Sequence, residues 1–243
     1  MFKHETQVIK FLLQWYSVNA RNLPWRKKNT LNLPDPYFVF VSEYMLQQTT
    51  VNTVKNKFND FILKWPSLNK LAQTSEPNIL KFWSGLGYYS RARNLLKSAK
   101  IIHKNFKNNI PQTYDELIQL PGIGDYTAKA ILGIGYNQSV MPLDANIERI
   151  LVRLHAIDKP INKVKNKLKD LGNKFISDKY SSNLIQSFMD YGSEICLPRN
   201  PKCNICGINK FCQSYKKNLQ QKIPFKQKKK SNKPIKYTRA YVI

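Results

Sequence analysis

The sequence predicts an all-α fold on three observations. Apolar residues recur at helical spacing along most of the chain, no stretch shows a convincing period of two, and Gly and Pro punctuate the joins. Helix-period stretches fall at 5–18, 39–65, 79–82, 91–106, 114–119, 126–134, 145–155, 164–175 and 183–189. The breaks carry Pro34-Asp35-Pro36, Pro66, Pro77, Pro111, Pro121-Gly122 and Pro142. Thr113-Tyr114-Asp115-Glu116 reads as a capping box, in which the Thr and Glu side chains satisfy free N–H groups, so a helix starts there. After Cys212 the composition turns to Lys, Gln and Ser, with KQKKK at 226–230, as in a basic linker or tail over 216–243. The last residues, from Tyr237 to Ile243, read as one strand without a partner.

Composition bounds the function. The chain has 243 residues, 42% of them hydrophobic, enough for a sizeable core. Lys and Arg number 40 against 15 Asp and Glu, a formal charge of +25. Such an excess repels itself unless a polyanion is near, which points to nucleic acid. The first sixteen residues mix charge into their apolar positions, unlike a secretory leader, and no apolar run is long enough for a membrane span. The chain's 4 cysteines, Cys196, Cys203, Cys206 and Cys212, form a C-x6-C-x2-C-x5-C run. Clustered thiols without a leader suggest a reducing compartment. Four thiolates on one short loop can close round a [4Fe–4S] cluster or a tetrahedral zinc.

Three further segments carry candidate chemistry. In Leu120-Pro121-Gly122-Ile123-Gly124 the two glycines permit a tight turn and close approach to a ligand, and the next helix offers free N–H groups to an anion. Together these resemble a helix-hairpin-helix element, which grips a phosphate without reading sequence. Glu43 has Val39, Phe40, Leu46 and Gln47 as its helical neighbours, so desolvation is expected to raise its pKa. Asp144 stands where a helix begins, and an N-cap carboxylate that accepts backbone N–H bonds is expected to stay ionised.

These segments together resemble the helix-hairpin-helix DNA glycosylases, and within them the adenine glycosylase (MutY) branch. The resemblance rests on Leu23-Pro24-Trp25-Arg26, Ser42-Glu43-x-Met45-Leu46-Gln47-Gln48-Thr49, the run from Trp83 to Leu95, the hairpin, Leu143-Asp144 and the four cysteines. It implies a two-lobed all-α enzyme: a six-helix lobe over 23–137, and an iron–sulfur lobe built from 1–22 and 138–215. It implies a [4Fe–4S] cluster on the four cysteines. The implied reaction is hydrolysis of the N-glycosidic bond of adenine mispaired with 8-oxoguanine or guanine, by a monomer acting on double-stranded DNA. If the chain is bacterial, it would be a cytoplasmic, nucleoid-associated protein. Glu43 becomes the acid at the leaving base and Asp144 the anion beside the oxocarbenium-like sugar, oriented by Asn146. Gln48 and Tyr88 are assigned to the gap and the opposite base, and Arg26 and Gln186 to the adenine pocket. Gly122 and Gly124 hold a DNA phosphate. Tyr126 stands where the endonuclease III branch carries a Schiff-base lysine, which implies a monofunctional glycosylase; Lys129, one turn on, could retain weak lyase activity.

Two rivals remain at this level: an endonuclease III-like enzyme acting on damaged pyrimidines, and a non-catalytic, metal-stapled DNA-binding module. The chain also departs from the family pattern. Residues 27–33 read as an inserted loop, and the resemblance leads one to expect a Nudix-like terminal domain, of which 237–243 read as the first strand.

Overall fold

The computed structural model describes residues 3–225. These residues form twelve α-helices joined by short 3₁₀ turns and one π-helical turn. Among them there is no strand beyond one isolated antiparallel bridge, Lys28 with Pro34. No helix of the described residues is long and apolar enough to cross a membrane. The basic run at 226–230 and the terminal strand expected from Tyr237 onward lie outside the described residues.

Helix α2 (Pro36–Leu46) is the central element. Asp35 caps it by accepting the Tyr37 amide at 2.8 Å, and Pro36 starts it with φ already helical. It packs on α3 (Val51–Lys64), on α6 (Ser90–Asn105), on α8 (Asp125–Ala130) and on the π turn Ile131–Gly135. Neighbours on every side explain why Phe40, Val41, Tyr44 and Met45 are all fully buried, each contributing on the order of 2 kcal/mol of transfer free energy.

The sequence predicts one helix over 39–65; the structure has two. Residues 47–50 form the break. Thr50 caps α3 by accepting the Thr53 amide at 3.3 Å, and Gln48 adopts a left-handed φ of 57°. The predicted 126–134 helix likewise ends early as α8 and passes into the π turn. Two short helices, α4 (Leu68–Ala72) and α12 (Gln213–Lys216), escape a period-based reading because they span barely one turn. Between them run α5 (Glu76–Trp83), α7 (Tyr114–Ile118), α9 (Ala145–Leu154), α10 (Lys165–Asn173) and α11 (Ser181–Glu194). The capping box is present: Thr113 Oγ1 accepts the Glu116 amide at 3.3 Å and donates to the Glu116 carboxylate at 2.6 Å.

Helix α1 (Lys3–Asn19) packs on α11, and α11 packs on α9 and on the π turn. The α9–α11 approach is so close that a Cβ at Gly192 would lie 2.5 Å from the Cβ of Asn146 and 3.2 Å from its Cα. Gly192 therefore sets the position of the first turn of α9, where Asp144 and Asn146 stand.

Candidate active site

Glu43 on α2 and Asp144 at the start of α9 line one cavity of about 530 Å³, together with Tyr126, Asn146, Arg26 and Gln186. Glu43 is 6% exposed. Burial pushes its carboxyl up to about 8, helped by the charge of Asp144 and opposed by a hydrogen bond from the Tyr126 hydroxyl. Tyr126 is itself pushed well above its usual range, by burial first and then by the Glu43 and Asp144 charges, so it remains a neutral donor. Glu43 is thus poised to hold a proton near neutral pH, as its apolar neighbours suggested.

Asp144 is the N-cap of α9. It accepts the Ile147 amide at 2.7 Å and the Asn146 side-chain amide at 2.9 Å. The sequence-based expectation was that these bonds would dominate. In the structure burial outweighs them, and the pKa moves upward even against the Ile147 and Asn146 bonds and the Arg149 charge. A buttress stands behind it. Arg149 Nη2 donates to Asn146 Oδ1 at 2.7 Å and to the Gly192 carbonyl at 2.6 Å, and its Nε donates to the Cys196 carbonyl at 2.7 Å. Nothing in its local sequence singles out Arg149; its place three residues after Asn146 on the same helix is the only signal.

Gln186 is 2% exposed. Its Nε2 donates to the Ser182 carbonyl at 3.0 Å, while its buried Oε1 has no partner. That leaves an acceptor at the cavity wall. Arg26 lines the cavity too, but its guanidinium is committed to a bidentate pair with Asp190, at 2.6 and 2.8 Å. Arg21 joins the same carboxylate at 2.6 Å. Burial would raise Asp190, yet the Arg26 and Arg21 partners hold it below its usual range. Neither Asp190 nor Arg21 was legible, because their partners lie more than 160 residues away.

The other predicted residues lie apart from this cavity. Gln48 and Tyr88 are exposed, Tyr88 by 60%. Both have left-handed backbones, φ 57° and 46°, a conformation costing ~1–2 kcal/mol per non-glycine residue. In the hairpin Gly122 takes φ 83° against Asn94 and Tyr44, and a Cβ on Gly124 would meet nothing within 4 Å. Gln47 Nε2 ties the active-site helix to the hairpin by donating to the Gly122 carbonyl at 3.2 Å. Lys129 is bound to Asp125 at 2.9 Å and does not line the cavity.

The four cysteines line a separate cavity of about 30 Å³, with Tyr191 and Arg153. Arg153 Nη1 donates to Cys196 Sγ at 3.3 Å and the Tyr191 hydroxyl to Cys206 Sγ at 3.2 Å, contacts suited to sulfur that carries negative charge. Among the described residues no three His, Cys, Asp or Glu side chains gather round the position of a single metal ion.

A helical scaffold with a glycine hairpin and two carboxylates in one cleft, Glu43 buried and Asp144 half-buried, defines a helix-hairpin-helix protein of the base-excision type. Residues 41–174 match the family described as HhH-GPD superfamily base excision DNA repair protein, and the chain belongs to that superfamily. Similar curated proteins are adenine DNA glycosylases. That of Buchnera aphidicola subsp. Schizaphis graminum is 42% identical over 224 residues, covering 91% of this chain and 63% of its own. The Homo sapiens protein is 35% identical over 232 residues, covering 92% and 42%. The chain thus spans less than two thirds of the length of these relatives. Among solved structures, a thermostable thymine-DNA glycosylase superposes with a TM-score of 0.79 at 26% identity, over 88% of this chain and 98% of that one. A non-covalent endonuclease III–DNA complex superposes with a TM-score of 0.71 at 18% identity, covering 90% of this chain and 100% of that one, which speaks for the fold alone.

The raised Glu43 pKa has a consequence for stability. Between its ordinary value of 4.5 and about 8, the folded protein holds a proton on Glu43 that the unfolded chain has released. Stability due to this group is therefore lost as pH rises through that window. Glu43→Gln should melt higher than the parent near pH 8, and the difference should shrink toward pH 4.5. Parallel melting-temperature profiles across this range would contradict the assignment.

Proposed function

We propose that this chain is the catalytic region of an adenine DNA glycosylase, hydrolysing the N-glycosidic bond of adenine opposite 8-oxoguanine or guanine in double-stranded DNA. The observation that carries the reading is the unequal carboxylate pair: a buried, proton-holding Glu43 in the same cleft as an N-capping Asp144 that accepts two hydrogen bonds. Departure of a base leaves a cationic sugar, so the chemistry needs one acid and one anion. Glu43 gives its proton to a ring nitrogen of the departing base. The Tyr126 hydroxyl, which favours the charged Glu43, stabilises the carboxylate that remains. Asp144, oriented by Asn146 and buttressed by Arg149, balances the charge on the sugar until water adds. Gln186 Oε1, buried and unpartnered, suits the exocyclic amine of adenine.

The same residues argue against the rivals. A lyase needs an amine in the cavity; position 126 is tyrosine, and Lys129 is bound to Asp125 outside it. A non-catalytic module has no use for a carboxylate buried at the cost of a strongly raised pKa. Two lobes, 23–137 and 1–22 with 138–215, account for the cleft: Glu43 and Tyr126 come from one, and Asp144, Asn146 and Gln186 from the other. Gln48 and Tyr88 stand exposed for insertion into the duplex, and the glycine hairpin for a phosphate. The formal charge of +25 gives the affinity its salt dependence.

Cys196, Cys203, Cys206 and Cys212 are read as ligands of a [4Fe–4S] cluster. Four cysteines at C-x6-C-x2-C-x5-C spacing that all line one cavity support that reading, as does the resemblance to a family with such a cluster. The cluster would act as a covalent staple for the loop that presents Arg199 and Lys202, a structural rather than a chemical contribution.

Single-turnover excision from A·8-oxoguanine duplexes tests the reading. Glu43→Gln and Asp144→Asn should each lose ~10²–10⁴-fold in rate while still binding the duplex. Excision at the parent rate by either variant would remove that residue from the mechanism. Purified protein should be brown, with about four irons per chain. Colourless, active protein holding one zinc would overturn the cluster.

A further inference from the structure

Arg91, at the second position of α6, is 6% exposed, and its terminal nitrogens reach six acceptors. Nη1 donates to the carbonyls of Tyr44 at 3.1 Å, Met45 at 2.8 Å and Gln47. Nη2 donates to Thr49 Oγ1 at 2.9 Å and to the carbonyls of Leu86 at 2.8 Å and Gly87 at 3.0 Å. The first group, with Thr49, belongs to the end of α2 and the turn holding Gln48. The second belongs to the turn holding Tyr88. The guanidinium carbon also lies 5.6 Å from the centres of both the Trp83 and Tyr88 rings. Two direct bonds complete the joint: Thr49 Oγ1 donates to the Leu86 carbonyl at 3.4 Å, and Trp83 Nε1 to the Gly87 carbonyl at 3.2 Å.

Both turns need such an anchor. Gln48 and Tyr88 are exposed non-glycine residues with left-handed backbones, and Gly85 and Gly87 precede Tyr88 at φ 89° and 69°. Backbone of this kind persists only where its surroundings over-determine it. The end of α2 also leaves carbonyls without helical partners. A planar fork of donors can serve carbonyls on two sides at once; the ammonium of lysine is a single point on a flexible stem.

We propose that Arg91 is a positioning residue that joins the Gln48 and Tyr88 turns into one rigid wedge, so that the two side chains enter the duplex together when a base is extruded. The proposal rests on the reading of Gln48 and Tyr88 as the residues that fill the gap. Arg91 contacts neither cleft carboxylate and does not itself line the cavity; it reaches the cavity wall only through Gln47 and Thr49, and it acts through the two turns. Separately anchored turns would each lose order in thermal motion, and unstacking a base would then have to order them first.

The test uses the full chain on a Glu43→Gln background, so that no base is lost. The duplex carries 2-aminopurine, whose fluorescence rises on unstacking, in place of the target adenine opposite guanine. Arg91→Met and Arg91→Lys should each cut the fluorescence rise at saturation by at least about threefold, with melting and duplex affinity closer to the parent. Without DNA, amide hydrogen exchange in 46–49 and 85–89 should accelerate together, by about tenfold or more, while α9 and α11 stay protected. Should Arg91→Met fail to fold, Arg91→Lys carries both measurements. Unchanged exchange, faster exchange in only one turn, or an undiminished fluorescence rise overturns the wedge. A parent that shows no rise would instead refute the base-flipping reading, and the exchange data would still judge the clamp.

Discussion

Two carboxylates that share one cleft, Glu43 buried and Asp144 half-buried, are the constraint on which the site depends. Either alone could be an ordinary buried acid. Together, the Asp144 charge makes ionisation of Glu43 more costly, and the protein separates the two by environment. Glu43 meets an apolar wall and receives one hydrogen bond, from Tyr126, so it retains its proton to about 8. Asp144 meets a helix start, an amide and, behind that, an arginine, which together offset part of its burial. The net upward shift of Asp144 reflects burial that its Ile147, Asn146 and Arg149 partners offset only in part.

The scaffold serves this separation. Helix α2 has neighbours on every side, which is what desolvates Glu43, and it is held at its end by Arg91 and beside the hairpin by Gln47. Helix α9 is fixed by Gly192, whose missing Cβ lets Asn146 approach α11, and by Arg149, which bonds both Asn146 and the Cys196 carbonyl. The cysteine loop therefore sits two hydrogen-bonding residues from Asp144. A staple on that loop would stiffen the base of the site without touching the reaction.

Most of this was legible in the residue types and their spacing. Glu43 among aromatics and aliphatics announces its own desolvation, and Asp144 before a helical run announces a cap. The capping box at Thr113 and the cysteine run are likewise local patterns. What was not legible depends on distant partners. The break at 47–50 is written locally only as polar, helix-compatible residues; Thr50 as a cap and Arg91, over forty positions on, decide it. Arg26 reads as a free pocket cation, yet Asp190 on α11 takes its guanidinium. The upward shift of Asp144 is a matter of how much protein lies over it, which spacing does not encode.

The most direct test is a carbon-13 NMR titration of the Glu43 side-chain carboxyl in the parent and in Asp144→Asn. A midpoint near 8 in the parent, falling when the Asp144 charge is removed, is the expected result. A parent midpoint in the ordinary carboxylate range, unmoved by Asp144→Asn, would show that the two groups are neither desolvated nor coupled, and the acid–anion division of the cleft would fall with it.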